Sequence, residues 1–250
     1  MRCSCHTSHS YVSCYTIQAT DVYAFKLLDS LIGNNQLSTL SAYMTTLWSL
    51  LLHRMQEQMK DNKTARYCRL FLHSFSLFAA IHGGVALSDA LGALEKGLVN
   101  MVILQVWSLN RASCATADPL EIKEMIIGGT RILCETADCQ NPQTFGSLIK
   151  SIVVLLDDSV AEVHEDLEGL NEEADSREFD SAYSKLAYAG VTDIDPTEDI
   201  PSGPVYFATA LSTLARSRPG SIGPLMQSSL EAKEIAVLQS LLSKCGLTIE

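Results

Sequence analysis

The sequence predicts an all-α protein, an α-α superhelix built from helix pairs. Apolar residues recur at steps of three and four nearly throughout, and no stretch alternates as a half-buried strand does. Helix pairs spanning residues 21–59, 64–108 and 119–160 recur at about 45–55 residues, the period of stacked helical arrays. The pairs share no internal motif, so a closed helical bundle also meets the periodicity. The recurring period favours the superhelix.

The expected helices are 21–32, 39–59, 64–82, 86–108, 119–137, 143–160, 178–189, 204–217 and 230–245. Residues 1–20 are unassigned and expected to be disordered. They hold Cys3, Cys5, His6, His9 and Cys14, which have ligand atoms for zinc but not the C-x₂₋₄-C pairs of a structural site. No metal or cofactor is expected. Short turns at Asp61-Asn62 and Gly83-Gly84 imply antiparallel neighbours. Helix 64–82 carries Tyr67, Leu70, Phe71, Leu72, Phe75, Leu77, Phe78 and Ile81 and is apolar nearly all round. Such a helix needs neighbours on several sides, as the inner helix of a stack has. Across 86–108, Leu87, Leu91, Leu94, Leu98 and Met101 form one stripe ending at Gln105. Asp118-Pro119-Leu-Glu121 places an N-cap, a proline at the first helical position and a capping-box Glu in order. Asn141-Pro142 repeats the cap and proline, and Ser228 with Glu231 reads as another box.

Composition narrows the function classes. At 47% hydrophobic and 19% charged, the chain reads as globular over most of its length. Its net charge of −11 argues against nucleic acid or an anionic membrane as partner, because phosphate binding needs clustered Lys and Arg. A basic partner is the better expectation. No apolar run reaches the length of a membrane span and no secretory signal is visible, so a soluble intracellular chain is expected. No Gly-rich phosphate loop, nucleophile elbow or catalytic signature appears around His53, His73, His82 or His164, so no enzyme is expected. Cys134 and Cys139 read as a buried and a loop cysteine, not a redox pair.

One segment stands out. Between residues 157 and 180 there are eleven Asp or Glu against the single Arg177, a net of −10 of the chain's −11. Asp157, Asp158, Glu165, Asp166, Glu168, Glu172, Glu173 and Asp175 are the candidate partner-binding residues. The run is either a solvated inter-helix loop or a contact for a basic protein, whose on-rate it would raise at short range.

The acidic run leads into Asp180-Ser-Ala-Tyr-Ser-Lys-Leu-Ala-Tyr-Ala-Gly190. Asp195-Pro196, Leu211-Ser-Thr-Leu214 and Pro219-Gly-Ser-Ile-Gly-Pro-Leu-Met-Gln-Ser-Ser-Leu230 follow in order. With Tyr23-Ala-Phe25-Lys-Leu-Leu28 and Phe71-Leu-His-Ser-Phe75 upstream, this series resembles the C-terminal quarter of the importin-α re-export receptors of the karyopherin-β family. The resemblance implies a solenoid of HEAT repeats over residues 21–250, with an acidic loop near 157–178. It implies importin-α and Ran-GTP as partners, shuttling between nucleus and cytoplasm, and no hydrolysis by the receptor itself. The family's N-terminal repeats, with the main Ran-binding part, have no counterpart among these residues. A solenoid end cut from its array exposes an apolar face, expected here around Phe25, Leu28, Leu47 and Leu51, uncovered or self-associated.

Overall fold

Helical periodicity becomes helix in the computed structural model, which describes residues 8–59, 64–137, 139, 141–157 and 194–247. In chain order the helices are α1 (Ser8–Asn34), α2 (Leu37–Met59), α3 (Thr64–His82), α4 (Gly84–Gly92), α5 (Leu98–Met101) and α6 (Arg111–Cys114). They continue as α7 (Pro119–Glu135), α8 (Pro142–Leu155), α9 (Gly203–Ser217), α10 (Ile222–Ser229) and α11 (Ala232–Lys244). A π-helical turn, Val102–Trp107, directly follows α5. No strand occurs among the described residues, and no helix there is long and apolar enough to cross a membrane.

The helices form two layers. In one, α1, α3, α7 and α9 lie side by side in chain order. In the other, α2, α4, the π-helical turn and α8 follow one another, and α10 and α11 close the row against α8. Successive pairs therefore stack as an α-α superhelix, and the closed bundle is excluded.

Helix α3 sits at the centre, packed on α1 and α7 within its layer and on α2 and α4 across it. Its residues from Tyr67 to Ala80 are buried or nearly so, the environment that an all-round apolar helix requires. Trp48 of α2 lies edge-on to Phe71, Phe75 and Phe78 at centroid distances of 5.9, 6.2 and 6.0 Å. Each such edge contact adds about 0.5–1.5 kcal/mol beyond area burial.

The crossing of α3 and α7 depends on Gly128. A Cβ there would fall 1.9 Å from the Ser76 carbonyl oxygen, so the two backbones touch. The neighbouring Gly129 gives room to Trp107 and Ile152, each 3.2 Å from where its Cβ would stand. Trp107 reaches that notch from the end of the π-helical turn, where Ser108 N donates to Ile103 O five residues back, at 3.1 Å.

Capping follows local chemistry. Asp118 accepts from Leu120 N and Glu121 N, and Asn141 from Gln143 N, each with proline in the first turn. The expected Ser228–Glu231 box forms three residues later: Glu231 is the N-cap of α11, with Glu234 as its return partner. Ser228 is instead in the last turn of α10, a short helix that the sequence pattern did not reveal.

Other boundaries differ as well. Helix α1 begins at Ser8, thirteen residues ahead of the expected start at 21. The continuous helix expected over 86–108 is broken after Gly92, and the chain restarts at Leu98 behind Gly97, whose φ of 79° is left-handed. The stripe survives the break because Leu87, Leu91 and Leu98 still reach the core. Helix α8 ends at Leu155, short of the expected 160. The expected helix 178–189 and the Asp61-Asn62 turn lie outside the described residues.

Ile194–Ser202 runs as a strap into α9. Lys123 Nζ of α7 donates to Asp195 Oδ2 at 2.5 Å and to Thr197 O at 3.0 Å, while Asp195 Oδ1 accepts from Thr197 N and Oγ1. Pro196 reaches back to α1, within 3.5 Å of where a Cβ on Gly33 would be.

The α1–α2 pair has one covered and one exposed side. Phe25 and Leu28 are buried against α3, which corrects the expectation that they are uncovered, and Leu47 and Leu51 are half-buried. The exposed apolar residues lie on the opposite side of the same helices: Tyr23, Leu27 and Leu31 on α1, Tyr43 and Leu50 on α2.

Candidate partner-binding surface

Of the candidate acidic residues, Asp157 alone is described. Asp158, Glu165, Asp166, Glu168, Glu172, Glu173 and Asp175 lie outside the described residues. Asp157 follows the C-terminus of α8 and pairs with Lys233 Nζ of α11 at 2.8 Å. Lys233 is largely exposed, so this pair contributes at most about 1 kcal/mol.

Asp157 stands on the wall between two grooves. The larger, about 620 Å³, is lined by Leu156, Pro204, Val237, Leu241, Lys233 and Lys244. The smaller, about 300 Å³, has a more apolar lining that includes Ile122, Ile126 and Leu155, with Lys123 beside them. The acidic segment thus leaves the described structure from a place flanked by lysines over an apolar floor.

Nearby, Lys150 of α8 bonds Glu231 Oε1 at 2.7 Å and Glu234 Oε1 at 3.3 Å, holding α8 to the start of α11. The bond to Glu231 holds the Lys150 pKa above its usual value and lowers that of Glu231.

A second polar cluster is deeply buried. His73 of α3 bridges Asp29 of α1, at 3.3 Å from Nδ1, and Glu124 of α7, at 2.5 Å from Nε2. Ser74 Oγ donates to the same Asp29. Burial alone would push the imidazole pKa down. The hydrogen bonds to Asp29 and Glu124 outweigh it and raise it to about 10, so the ring is a cation at neutral pH. Glu121, one turn before Glu124, feels that charge, although burial dominates and raises its pKa.

The cluster has a serine, a histidine and carboxylates, but Ser74 is fully buried and donates to a carboxylate, not to the ring. Its chemistry is charge pairing across three successive helices of one layer. In the sequence His73 does not sit with Asp, Ser or Cys in a catalytic signature. The partners stand 44 and 51 positions away, and the available signal was a charged residue inside an otherwise apolar helix face.

Burial also governs the cysteines. It raises Cys68 to about 11 and Cys114 and Cys134 to about 12, so these thiols stay protonated at neutral pH.

The sequence is similar to known proteins. Exportin-2 of Oreochromis niloticus is 26% identical over 235 residues, covering 90% of this chain and 23% of that protein. The Homo sapiens exportin-2 is 24% identical over 236 residues, covering 93% of this chain and 24% of its own length. The Mus musculus protein is 25% identical over 240 residues with the same coverage. The chain thus spans about a quarter of the length of the curated relatives it matches. No solved structure matches it. A family model described as "CAS/CSE protein, C-terminus" matches residues 14–241, and the chain belongs to that family.

Proposed function

We propose that this chain works as the C-terminal part of a nuclear transport receptor of the exportin-2 type, not as an enzyme. The observation that carries the reading is the family match over residues 14–241 of a chain that folds as stacked helix pairs. In this role residues 21–250 form one HEAT-repeat unit with the acidic loop near 157–178. The unit contributes to carrying importin-α out of the nucleus with Ran-GTP, and the chain shuttles between nucleus and cytoplasm.

The acidic residues Asp157, Asp158, Glu165, Asp166, Glu168, Glu172, Glu173 and Asp175 give the unit charge complementarity to a basic region of importin-α. Such complementarity adds on-rate and specificity more than raw affinity. Capture of purified importin-α tests the reading. Ran-GTP-dependent capture supports transport. Capture indifferent to Ran supports the alternative, a helical scaffold that binds a basic partner outside a transport cycle. If neutralising Glu172, Glu173 and Asp175 leaves the salt dependence of the association rate unchanged, the acidic contact is wrong.

A further inference from the structure

Helix α1 carries two apolar stripes on opposite sides. Phe25, Leu28 and Ile32 are buried, on the side that meets α3, while Tyr23, Leu27 and Leu31 point away from it. Each stripe has one aromatic ring and two branched aliphatic side chains. Burying either would take a similar apolar area out of water, so the hydrophobic effect selects weakly between them. An inner helix of a stack meets neighbours on two sides, so two stripes are the rule there and the facing needs a separate determinant.

Shape does not supply it. The α3–α7 seam has the Gly128 notch, but Gly33, the glycine of α1, meets Pro196 of the strap and not α3. What distinguishes the two sides of α1 is a charge. Asp29 lies on the buried side, between Leu28 and Ile32, with its side chain 18% exposed. Its Oδ2 is 3.3 Å from His73 Nδ1, and its Oδ1 accepts from Ser74 Oγ. Glu124 of α7 holds the same imidazole from the other side. Turning α1 by half a turn would carry Asp29 outward and bring Leu27 and Leu31 opposite His73. The His73 Nδ1 hydrogen and the Ser74 hydroxyl would then be buried without an acceptor. Two donors stranded in this way correspond to about a hundredfold or more in population. The other acid on this side, Asp21, meets Arg54 of α2 at 3.6 Å with the guanidinium 34% exposed, and a pair so open to water decides little.

We propose that Asp29 selects the face of α1 that docks on α3. Its bonds to His73 and Ser74 fit one stripe, and their loss excludes the other. The buried cluster then specifies the arrangement of the helices more than it adds stability, in the way that one polar group in an apolar seam fixes register.

The test replaces the whole cluster by apolar side chains in the full chain: Asp29→Leu, His73→Leu, Ser74→Ala and Glu124→Met together. The readout is the nuclear Overhauser contact between the rings of Phe25 and Tyr67, whose centroids lie 5.2 Å apart, in protein labelled at its aromatic rings. The parent should give one set of signals with that contact. The quadruple variant should keep its helical circular dichroism and give a second set without the contact, at more than about a tenth of the first. Adding Leu27→Lys, which charges the opposite stripe at a site already 64% exposed, should restore the single set. A quadruple variant with one set and the Phe25–Tyr67 contact intact overturns the proposal. If that variant does not fold, Leu27→Lys in the same background should bring the fold back, and failure to do so overturns the proposal as well.

Discussion

Gly128→Ala is the sharpest single perturbation of this fold. The added methyl would stand 1.9 Å from Ser76 O, 2.5 Å from its carbonyl carbon and 2.8 Å from its Cα. All three are backbone atoms of α3, so no side chain can rotate away. A carbon–oxygen contact settles at about 3.3 Å, so the helices must part by roughly 1.4 Å at that point. A radial gap of about 1 Å already forfeits up to half of a dispersion well. The loss falls on the α3–α7 seam, where Met125, Ile126 and Ile132 are buried. Overpacking costs about 1–3 kcal/mol even where a core can relax, so about 3 kcal/mol or more is expected here. Alanine's better helix propensity returns about 1 kcal/mol. The net loss of at least about 2 kcal/mol lowers the melting temperature by about 4–8 °C, read by circular dichroism. Gly92→Ala is the control. It lies at the end of α4 with nothing within 4 Å of the new Cβ, and stability should hold or rise by up to about 1 kcal/mol. A Gly128→Ala protein that melts within about 1 °C of the parent would show that α3 and α7 do not meet backbone to backbone.

His73→Ala leaves Asp29 and Glu124 without their bridging cation in the core, and urea titration should show a loss of about 3–5 kcal/mol. The same cluster sets a pH dependence. His73 is protonated to about pH 10 when folded and to about 6.5 when unfolded, so its contribution is complete below about 6.5 and is lost as pH rises toward 10. Urea midpoints across that window should fall in the parent and stay flatter in His73→Asn, where Asp29, Glu124 and Glu121 still face the site. Lys123→Ala removes two bonds from the strap and should cost about 1–2 kcal/mol, with faster amide exchange at Thr197 and Ile200. Alkylation mapped by mass spectrometry at pH 8 should find Cys68, Cys114 and Cys134 slow in the folded protein and fast in urea; fast labelling of Cys114 when folded would contradict its burial.

What could be read from the sequence was local. The caps at Asp118 and Asn141 are set by residues two or three positions away, and the inner position of α3 follows from its lack of a polar face. The break after Gly92 was hidden because the apolar stripe keeps its phase across the gap. Helices α6 and α10 are too short to show a period. The uncovered face was expected on the correct helix pair but on the wrong side, because each of these helices carries two apolar stripes and the sequence does not say which meets α3. The Asp29–His73–Glu124 cluster draws one residue from each of three helices, and only the stacking brings them together. Asp157 was recognisable by its charge, but its pairing with Lys233 depends on α11 returning to the end of α8.

The strap at Ile194–Ser202 changes how such an array can come apart. In a stack of helix pairs each unit touches only its neighbours, so unfolding can start at one end and spread by degrees. Here the segment that opens the last pair is fastened to α7 through Lys123 and rests on α1 through Pro196. A chord of this kind makes the first and last units share one fate. Fraying from either end then requires the strap to let go, and the described array should melt in one cooperative step, not as a series of independent repeats.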